Sequence, residues 1–390
     1  MRRRLLESFG VAAPVTALLV FLLLAQAILD AQASVAALWA AAANSVPKTA
    51  WGHPDIQGIW LDEFQTPLER SPQLGDREFF TDEERAKQDA ARSGDAGRNR
   101  RAETGSRQDV AGAYNAVFTS AKPAGRRTSL VVEPANGRIP ALTAEAQRRK
   151  EIDREFRMAL LQNTDTCKTG ASGCAGWQYG PPSPRRKEVT PFYNKGRLSR
   201  HNGPEDQSNH DRCVAGETPD LTGFKRIVQG PDSIAMGVDT FQGQGYQRII
   251  YLSGSHPPSG VRLSQGDSRG RWEGNTLVVE TTNFSPVRAY GEASPNLKLV
   301  ERFTRVDADT LEYVVTFTDP AVWTAPWTVK QELGMQSDEQ NRIYYEPRCH
   351  EGNYGLPALL VGARMDEKAF AEGRGPDPAS QDTSTCVGGL

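Results

Sequence analysis

The sequence has no excess of charge of either sign. Lysine and arginine number 46 and aspartate and glutamate 48, so the formal net charge of the 390 residues is −2. A protein that binds nucleic acid through its phosphates needs a concentrated positive field. The balance of charge therefore predicts no nucleic-acid partner.

The sequence also lacks the short motifs of nucleotide and metal chemistry. It contains no Walker loop and no dinucleotide-binding fingerprint followed by a helix. Histidine is scarce, with five in the chain, and none has the HxH or HExxH spacing of a metal site. We therefore predict no cofactor and no metal, and no motif of this kind names a reaction.

A long uncharged and mostly apolar run lies near the N-terminus. Residues 2–4 are arginines and residues 9–29 are uncharged and mostly apolar, a pattern typical of an export signal. Residues 25–27 and 31–33 both fit the small-x-small rule for cleavage, while the run is nearly long enough to span a bilayer. Residues 1–34 are therefore predicted to be a Sec-type signal peptide or a retained signal anchor. In both cases the rest of the chain lies in the periplasm or on the extracellular face.

Five cysteines fit an oxidising compartment, where disulfides persist. Cys167 and Cys174 enclose a short Gly/Ser loop and are predicted to pair locally. Cys213 and Cys349 lie near the two ends of a β-rich region and form the other predicted pair, which leaves Cys386 in a polar tail. Spacing alone does not fix this connectivity, and the alternative, a zinc site, lacks a CxxC pair.

The first part of the folded chain is predicted to be irregular. Residues 35–222 form an α+β wrapping region with two short helices, at 82–92 and 144–162, each preceded by a threonine that can cap it. Gly, Pro, Asn and Asp recur throughout residues 163–222. So long an irregular segment is typical either of a functional lid or of a poorly ordered insertion.

A β-hairpin is predicted within residues 266–284, in the middle of the β-rich region. Gly274 and Asn275 separate two runs that favour strands, a strong short-range signal for a tight hairpin. Leu277 and Val279 then alternate with polar residues, as in a strand with one buried face.

Short strands at regular intervals predict that residues 223–372 form an antiparallel meander closed as a barrel or sandwich, calycin-like in type and mainly β. Residues 373–390 are a polar tail that we predict to be disordered. The predicted strands are 225–229, 234–239, 247–252, 261–264, 270–273, 276–282, 298–306, 311–318, 326–333 and 342–347.

Four segments of the chain have a distinctive pattern: 127–140, 266–284, 301–307 and 349–355. They resemble the signature segments of a large, functionally unassigned family of exported bacterial proteins. The resemblance implies export and a β-rich fold, and it implies no catalytic residue. It covers residues 51–364, and the chain departs from the pattern between Cys167 and His210.

His350 and Glu351 are the first candidates for catalysis. A histidine beside a carboxylate and next to a predicted disulfide would be rigidly placed, and it could act as a general base with Glu351 or Asp267 as its partner. In an extended segment, however, adjacent side chains point to opposite sides. The alternative is that His350 bonds to the backbone, Glu351 pairs with an arginine and Asp267 caps a turn.

The candidates for ligand binding are arginines and large aromatic residues of the β region. The arginines could stabilise an anion at a barrel mouth, and the aromatic side chains could line an apolar cavity. The alternatives are ion pairing on the wet face and packing in the core. The candidate residues are Arg248, Arg271, Trp272, Trp323, Trp327 and Tyr354.

Three functions remain open from the sequence. The first is a binding protein that holds a small apolar molecule in the barrel or beneath residues 163–222. The second is a cofactor-independent acid/base enzyme, a lyase, isomerase or hydrolase, that uses His350. The third is an accessory subunit of a membrane complex, held in the membrane by an uncleaved N-terminal segment.

Overall fold

A computed structural model describes most of the chain. The described residues are 46–62, 64–93, 123–168, 179–193, 200–209, 211–214, 216–239, 245–286, 289–336, 352 and 354–381.

The described part of the chain is mainly β, as the sequence predicts. Its main feature is a single ten-stranded sheet in which nine strands close into a barrel. The strands are β1 Gly58–Asp62, β2 Val131–Glu133, β3 Phe224–Gln229, β4 Ser233–Asp239, β5 Tyr246–Tyr251, β6 Asp267–Glu273, β7 Thr276–Thr282, β8 Lys298–Arg305, β9 Thr310–Thr318 and β10 Trp327–Met335.

Strand β1 closes the barrel. It pairs antiparallel with β3 and with β10, so that Trp60 lies opposite Lys225 on one side and Met335 on the other. Between these two partners the strands follow the order β3 to β10, and β2 adds to β10 outside the ring. Closure therefore depends on a strand from residues 35–222, far from the β-rich region in sequence.

One predicted strand, 261–264, is wrong. Residues 252–266 instead cross the barrel end, and Leu263 makes only an isolated bridge to Phe284. The backbone N–H groups of Val261 and Gly266 donate within the segment, to Pro258 and Leu263, so turns on both sides limit the pairing to this bridge. Because of this crossover β5 and β6 run parallel, which is an exception to the predicted meander. The predicted strand 342–347 lies outside the described residues.

The β6–β7 hairpin is confirmed. Glu273 pairs with Thr276 across the two-residue loop of Gly274 and Asn275. Gly274 has a φ of 60°, a left-handed conformation that costs glycine little. The predicted inner positions Leu277 and Val279 are fully buried.

Both predicted helices are present, and the helices are α1 Asp82–Ser93, α2 Ala144–Leu161, the single turn α3 Asp165–Lys168, and α4 Gly355–Ala371. Thr81 and Glu84 form the expected reciprocal cap of α1. Thr143 accepts a hydrogen bond from the backbone of Ala146 and so caps α2. None of the helices in the described part is both long and apolar enough to span a bilayer. The predicted N-terminal signal or anchor lies outside this part.

Helix α4 is absent from the sequence prediction. It contains Leu356, Leu359 and Leu360, but none of its residues is buried. The sequence interpretation placed this stretch in the β region, because its apolar residues give only a weak helical spacing. Residues 373–381 of the predicted disordered tail are described and include a 3₁₀ helix, Pro378–Ser380.

The barrel interior is packed with large side chains. Alternate residues of each strand point inward and form one contiguous core with Phe284 of the barrel end. Trp60, Trp327, Tyr313, Phe303 and Phe317 are among its largest fully buried members. The centre of the barrel is therefore a core, and space for a ligand has to be sought at its ends.

Candidate functional site

A buried ion pair lies within the barrel. Arg248 of β5 and Glu301 of β8 form two hydrogen bonds of 2.7 Å, and their side chains are 4% and 1% exposed. The Tyr313 hydroxyl donates a third hydrogen bond, of 2.9 Å, to Glu301. A bidentate arginine–carboxylate pair needs such additional bonds to offset the loss of hydration. Arg248, predicted to bind a ligand, is thus engaged by the protein itself.

Lys225, Tyr246 and Tyr313 of the interior are shifted towards their neutral forms. Burial lowers the pKa of Lys225, and burial raises the pKa of Tyr246 to about 12. Burial, together with the nearby charge of Glu301, also raises the pKa of Tyr313 well above its ordinary value. These directions are those of a dry interior, which tolerates charge only in a matched pair.

Two buried polar atoms near this pair have no hydrogen-bond partner among the described residues, Nε of Arg248 and Oε1 of Gln331. Buried polar groups normally have such a partner. Both side chains are more than nine-tenths buried, so a substrate has no open path to them in this conformation. The pair is therefore best understood as part of the core.

The GxSxG letters of a nucleophile elbow occur at residues 266–270, but the structure gives them another role. The required setting is a sharp turn between a strand and a helix. Ser268 instead lies within β6, is 2% exposed, and has its Oγ 3.0 Å from Oγ1 of Thr281. It is a side chain of the barrel interior.

Trp323 and Trp327 belong to an aromatic stack at one end of the core. Trp327 lies parallel to Phe317 with ring centroids 3.9 Å apart, and Trp323 meets Trp327 edge-on at 5.4 Å. Tyr290 packs against the same group, 5.0 Å from Phe317. The structure thus brings the two predicted tryptophans together as packing residues.

The other three predicted ligand-binding residues lie elsewhere. Trp272 is half-buried and its ring is 5.4 Å from that of His53. Arg271 is exposed and pairs with Glu273 at 2.6 Å, which agrees with the alternative of a surface ion pair. Tyr354 is 93% exposed where α4 begins. No common site joins these three residues in the described part of the chain.

Asp267 lies in a charged cluster with His256, which the sequence left among the loop histidines. Its carboxylate is 2.6 Å from Nδ1 of His256 and accepts hydrogen bonds of 2.8 and 3.0 Å from Arg269. Burial alone would raise the pKa of Asp267, but the bonds from Arg269 and His256 outweigh it and lower that pKa. Nε2 of His256 is 3.6 Å from Glu280. No sequence signal links His256 to Asp267, because only the crossover of residues 252–266 brings them together.

The predicted centre at His350 and Glu351 lies outside the described residues. The same is true of Cys174, Cys349 and Cys386, so the two disulfide pairings stay predictions. No group of three or more histidine, cysteine or carboxylate side chains in the described ranges could hold a metal ion.

A cavity of about 440 Å³ lies at the end of the barrel where the β7–β8 and β9–β10 connections meet. We call it the barrel-end cavity. Its wall is helix α2, and its floor includes residues 291–295 and 321–322. Its roof comes from residues 190–193 and 200–206, within the irregular segment that the sequence marks as a lid or an insertion. The apolar lining includes Phe156 and Leu160 of α2, Phe192 of the roof and Val322 of the floor.

The floor is held by a buried carboxylate. Asp319, 2% exposed, accepts hydrogen bonds from the backbone and hydroxyl of Ser294 at 2.7 and 3.1 Å, which joins the two connections. Thr143, the cap of α2, donates its backbone N–H to Val322 and its hydroxyl to Ala321. The wall and the floor are therefore fixed to each other.

The roof is organised by Arg200 and Asp206, whose side chains are 9% and 4% exposed and approach to 3.0 Å. Asp206 also accepts hydrogen bonds from the backbone of Asn202 and Gly203. The Arg200 guanidinium lies 5.5 Å above the Phe156 ring of the wall. This cation–π contact links the roof to helix α2.

A second, wider space of about 1310 Å³ lies between α4 and the described residues of segment 182–213. Its lining comes from α4, that segment and residues 377–381, and includes no barrel strand. We consider the barrel-end cavity the better candidate, because the barrel core and two packed connections support it on the inner side.

The sequence matches no protein-family model. It also has no significant match among curated proteins.

Proposed function

We propose that the protein binds a small, mainly apolar molecule in the barrel-end cavity, and that it does so on the outer side of a membrane, as an exported or membrane-anchored protein. The observation that carries the proposal is the cavity of about 440 Å³ between helix α2, the floor and the roof. This volume falls within the range typical of small-molecule sites.

The lining supports an apolar ligand. Ala146 of α2, Phe192 of the roof and Pro295 of the floor are partly exposed and contribute hydrophobic surface. The buried side chains of Phe156, Leu160 and Val322 lie behind them. Such a lining binds by removing apolar surface of the ligand from water. The location rests on the N-terminal sequence pattern and on the resemblance to exported proteins.

The test is a fluorescence titration with N-phenylnaphthylamine, a neutral apolar probe that brightens on leaving water. We expect saturable binding to one site. The variant Ala146→Trp should weaken it at least tenfold, because Ala146 lines the cavity from α2 and the indole would fill the space. The matched control is Gln147→Trp, since Gln147 is exposed and does not line the cavity.

Circular dichroism and unfolding midpoints would verify that both variants fold. If Ala146→Trp does not fold, Phe192→Ala, which removes an aromatic group of the roof, replaces it and should also weaken the probe. Absence of probe binding, or equal binding by Ala146→Trp and the wild type, would overturn the proposal.

A second candidate is an acid/base enzyme, favoured by the His256–Asp267 pair at the same barrel end. A carboxylate that holds Nδ1 of a histidine fixes the ring for proton transfer at Nε2. Native mass spectrometry of the purified protein and of His256→Ala would test this candidate. A bound molecule that differs in mass between the two would support catalysis, whereas an identical molecule would leave binding as the function.

A further inference from the structure

We propose that the ligand of the barrel-end cavity is an organic anion, with one acidic group attached to an apolar body, and that Arg149 binds the acidic group. This inference rests on the proposed function. It adds a polar anchor to the apolar lining of the cavity.

Arg149 lies on helix α2 and lines the cavity at an exposed position. Its guanidinium carbon is 4.5 Å from the centroid of the Phe192 ring in the roof. Such a cation–π contact involves no hydrogen-bond acceptor. The contact therefore positions a bidentate donor at the cavity without using its hydrogen bonds.

The other basic residues of the lining are neutralised by the protein. Arg157 pairs with Asp153 at 2.7 Å, and Arg200 pairs with Asp206. The remaining lysine, Lys150, contacts Glu292 at 3.3 Å. In contrast, no carboxylate of the described residues lies within ion-pair distance of Arg149.

Each carboxylate of the lining also has a partner within the protein. Asp153, Asp206 and Glu292 belong to the three pairs above. Of the other two, Glu145 contacts Arg148, and Glu217 accepts a hydrogen bond of 2.7 Å from the backbone of Gly291.

The position of Arg149 relative to the apolar lining sets the form of the ligand. Ala146 lies three residues before Arg149 on α2, so the two side chains are neighbours on one face, and Phe192 contacts Arg149 from the roof. A ligand whose acidic group meets Arg149 can therefore place an apolar body against Ala146 and Phe192, which are both partly exposed. Carboxylates and sulfonates both offer the planar or forked oxygens that a guanidinium binds well.

The experiment compares two probes with the same aromatic body. Anilinonaphthalene sulfonate carries an acidic group that N-phenylnaphthylamine lacks. We expect Arg149→Met to weaken the sulfonate about tenfold, the order of one charge-assisted hydrogen-bonded contact, and to leave the neutral probe within twofold. Arg149→Lys should restore part of the sulfonate binding. The sulfonate should also bind more weakly as salt is raised, because the contact is exposed to screening.

The matched control is Arg271→Met. Arg271 is exposed on β6, and neither it nor its partner Glu273 lines the cavity, so its loss changes the net charge without altering the charges of the site. Equal weakening of the sulfonate by both variants, or no weakening by Arg149→Met, would overturn the inference. If either result is found while the wild type still binds N-phenylnaphthylamine, the proposed function stands. If the wild type does not bind N-phenylnaphthylamine, the proposed function itself is overturned.

Discussion

Arginine has different surroundings in the barrel interior and at the barrel-end cavity. In the barrel interior Arg248 is buried and makes two hydrogen bonds of 2.7 Å to Glu301. At the barrel-end cavity Arg149 is exposed, lies on the Phe192 ring and pairs with no carboxylate of the described residues. The charge of Arg248 is paired within the fold, whereas the charge of Arg149 is available to a ligand.

The same separation holds for the surrounding groups. Burial lowers the pKa of Lys225 in the interior, where its amine donates to the backbone of Gly223 at 3.2 Å. A dry interior penalises each isolated charge. At the cavity Arg149 is exposed to solvent, where unpaired charge costs less. Function is therefore expected at the cavity, and stability is expected to depend on the interior.

The largest expected effect is on stability, from Arg248→Met. This change leaves the Glu301 carboxylate buried without its partner, and breaking such a pair costs about 3–5 kcal/mol. Urea unfolding followed by tryptophan fluorescence would measure the loss. The double variant Arg248→Met/Glu301→Leu should recover much of it, because it removes both charges. A loss under about 1 kcal/mol for the single variant would mean that water reaches the pair.

The next effect is a loss of stability at high pH, from Tyr246. Burial raises its pKa to about 12, whereas an unfolded tyrosine ionises near pH 10. Between these values the unfolded chain has released the proton and the folded chain retains it, so stability falls as pH rises, by about 1.4 kcal/mol per pH unit for this group.

Unfolding free energies measured from pH 9 to 12 would test this dependence. Tyr246→Phe should reduce the slope by about one proton, and the slope that remains belongs to other buried groups such as Tyr313. An unchanged slope in Tyr246→Phe would contradict a buried phenol at this position.

The smallest expected effect on stability is that of Arg149→Met. The substitution is the same as at Arg248, but the side chain is exposed, so the free energy of unfolding should change by less than about 0.5 kcal/mol. The urea experiment used for Arg248→Met measures both variants on one scale. A large loss at Arg149 would mean that the fold requires this arginine, and it would remove the contrast on which the anion site depends.

Much of the fold follows from local sequence. The glycine and asparagine at 274 and 275 fix a hairpin, the alternation after them fixes its inner face, and Thr143 marks where α2 begins. Such signals act between residues close in the chain, so a single sequence carries them. The predicted strand at 261–264 is wrong because turns on both sides limit its pairing to one bridge. Helix α4 was missed because a short apolar run favours strand and helix almost equally until its packing is known.

The site was less predictable. Arg248, Trp323 and Trp327 were predicted to bind a ligand because their residue types suit a binding site. In the structure all three are buried in the core. Arg149 carried no sequence signal, since a helix such as α2 has many charged residues on its surface. The segment 163–222 was identified as a lid or an insertion, and part of it does roof the cavity.

The sequence by itself determined the charge balance, the N-terminal export pattern, the hairpin and the mainly β class. Only the tertiary structure decided which strands close the barrel, which arginine is paired, and where a cavity remains. The reason is that propensity and alternation depend on neighbours in the chain, whereas pairing and burial depend on residues such as Arg248 and Glu301, 53 positions apart, that meet only when the sheet closes.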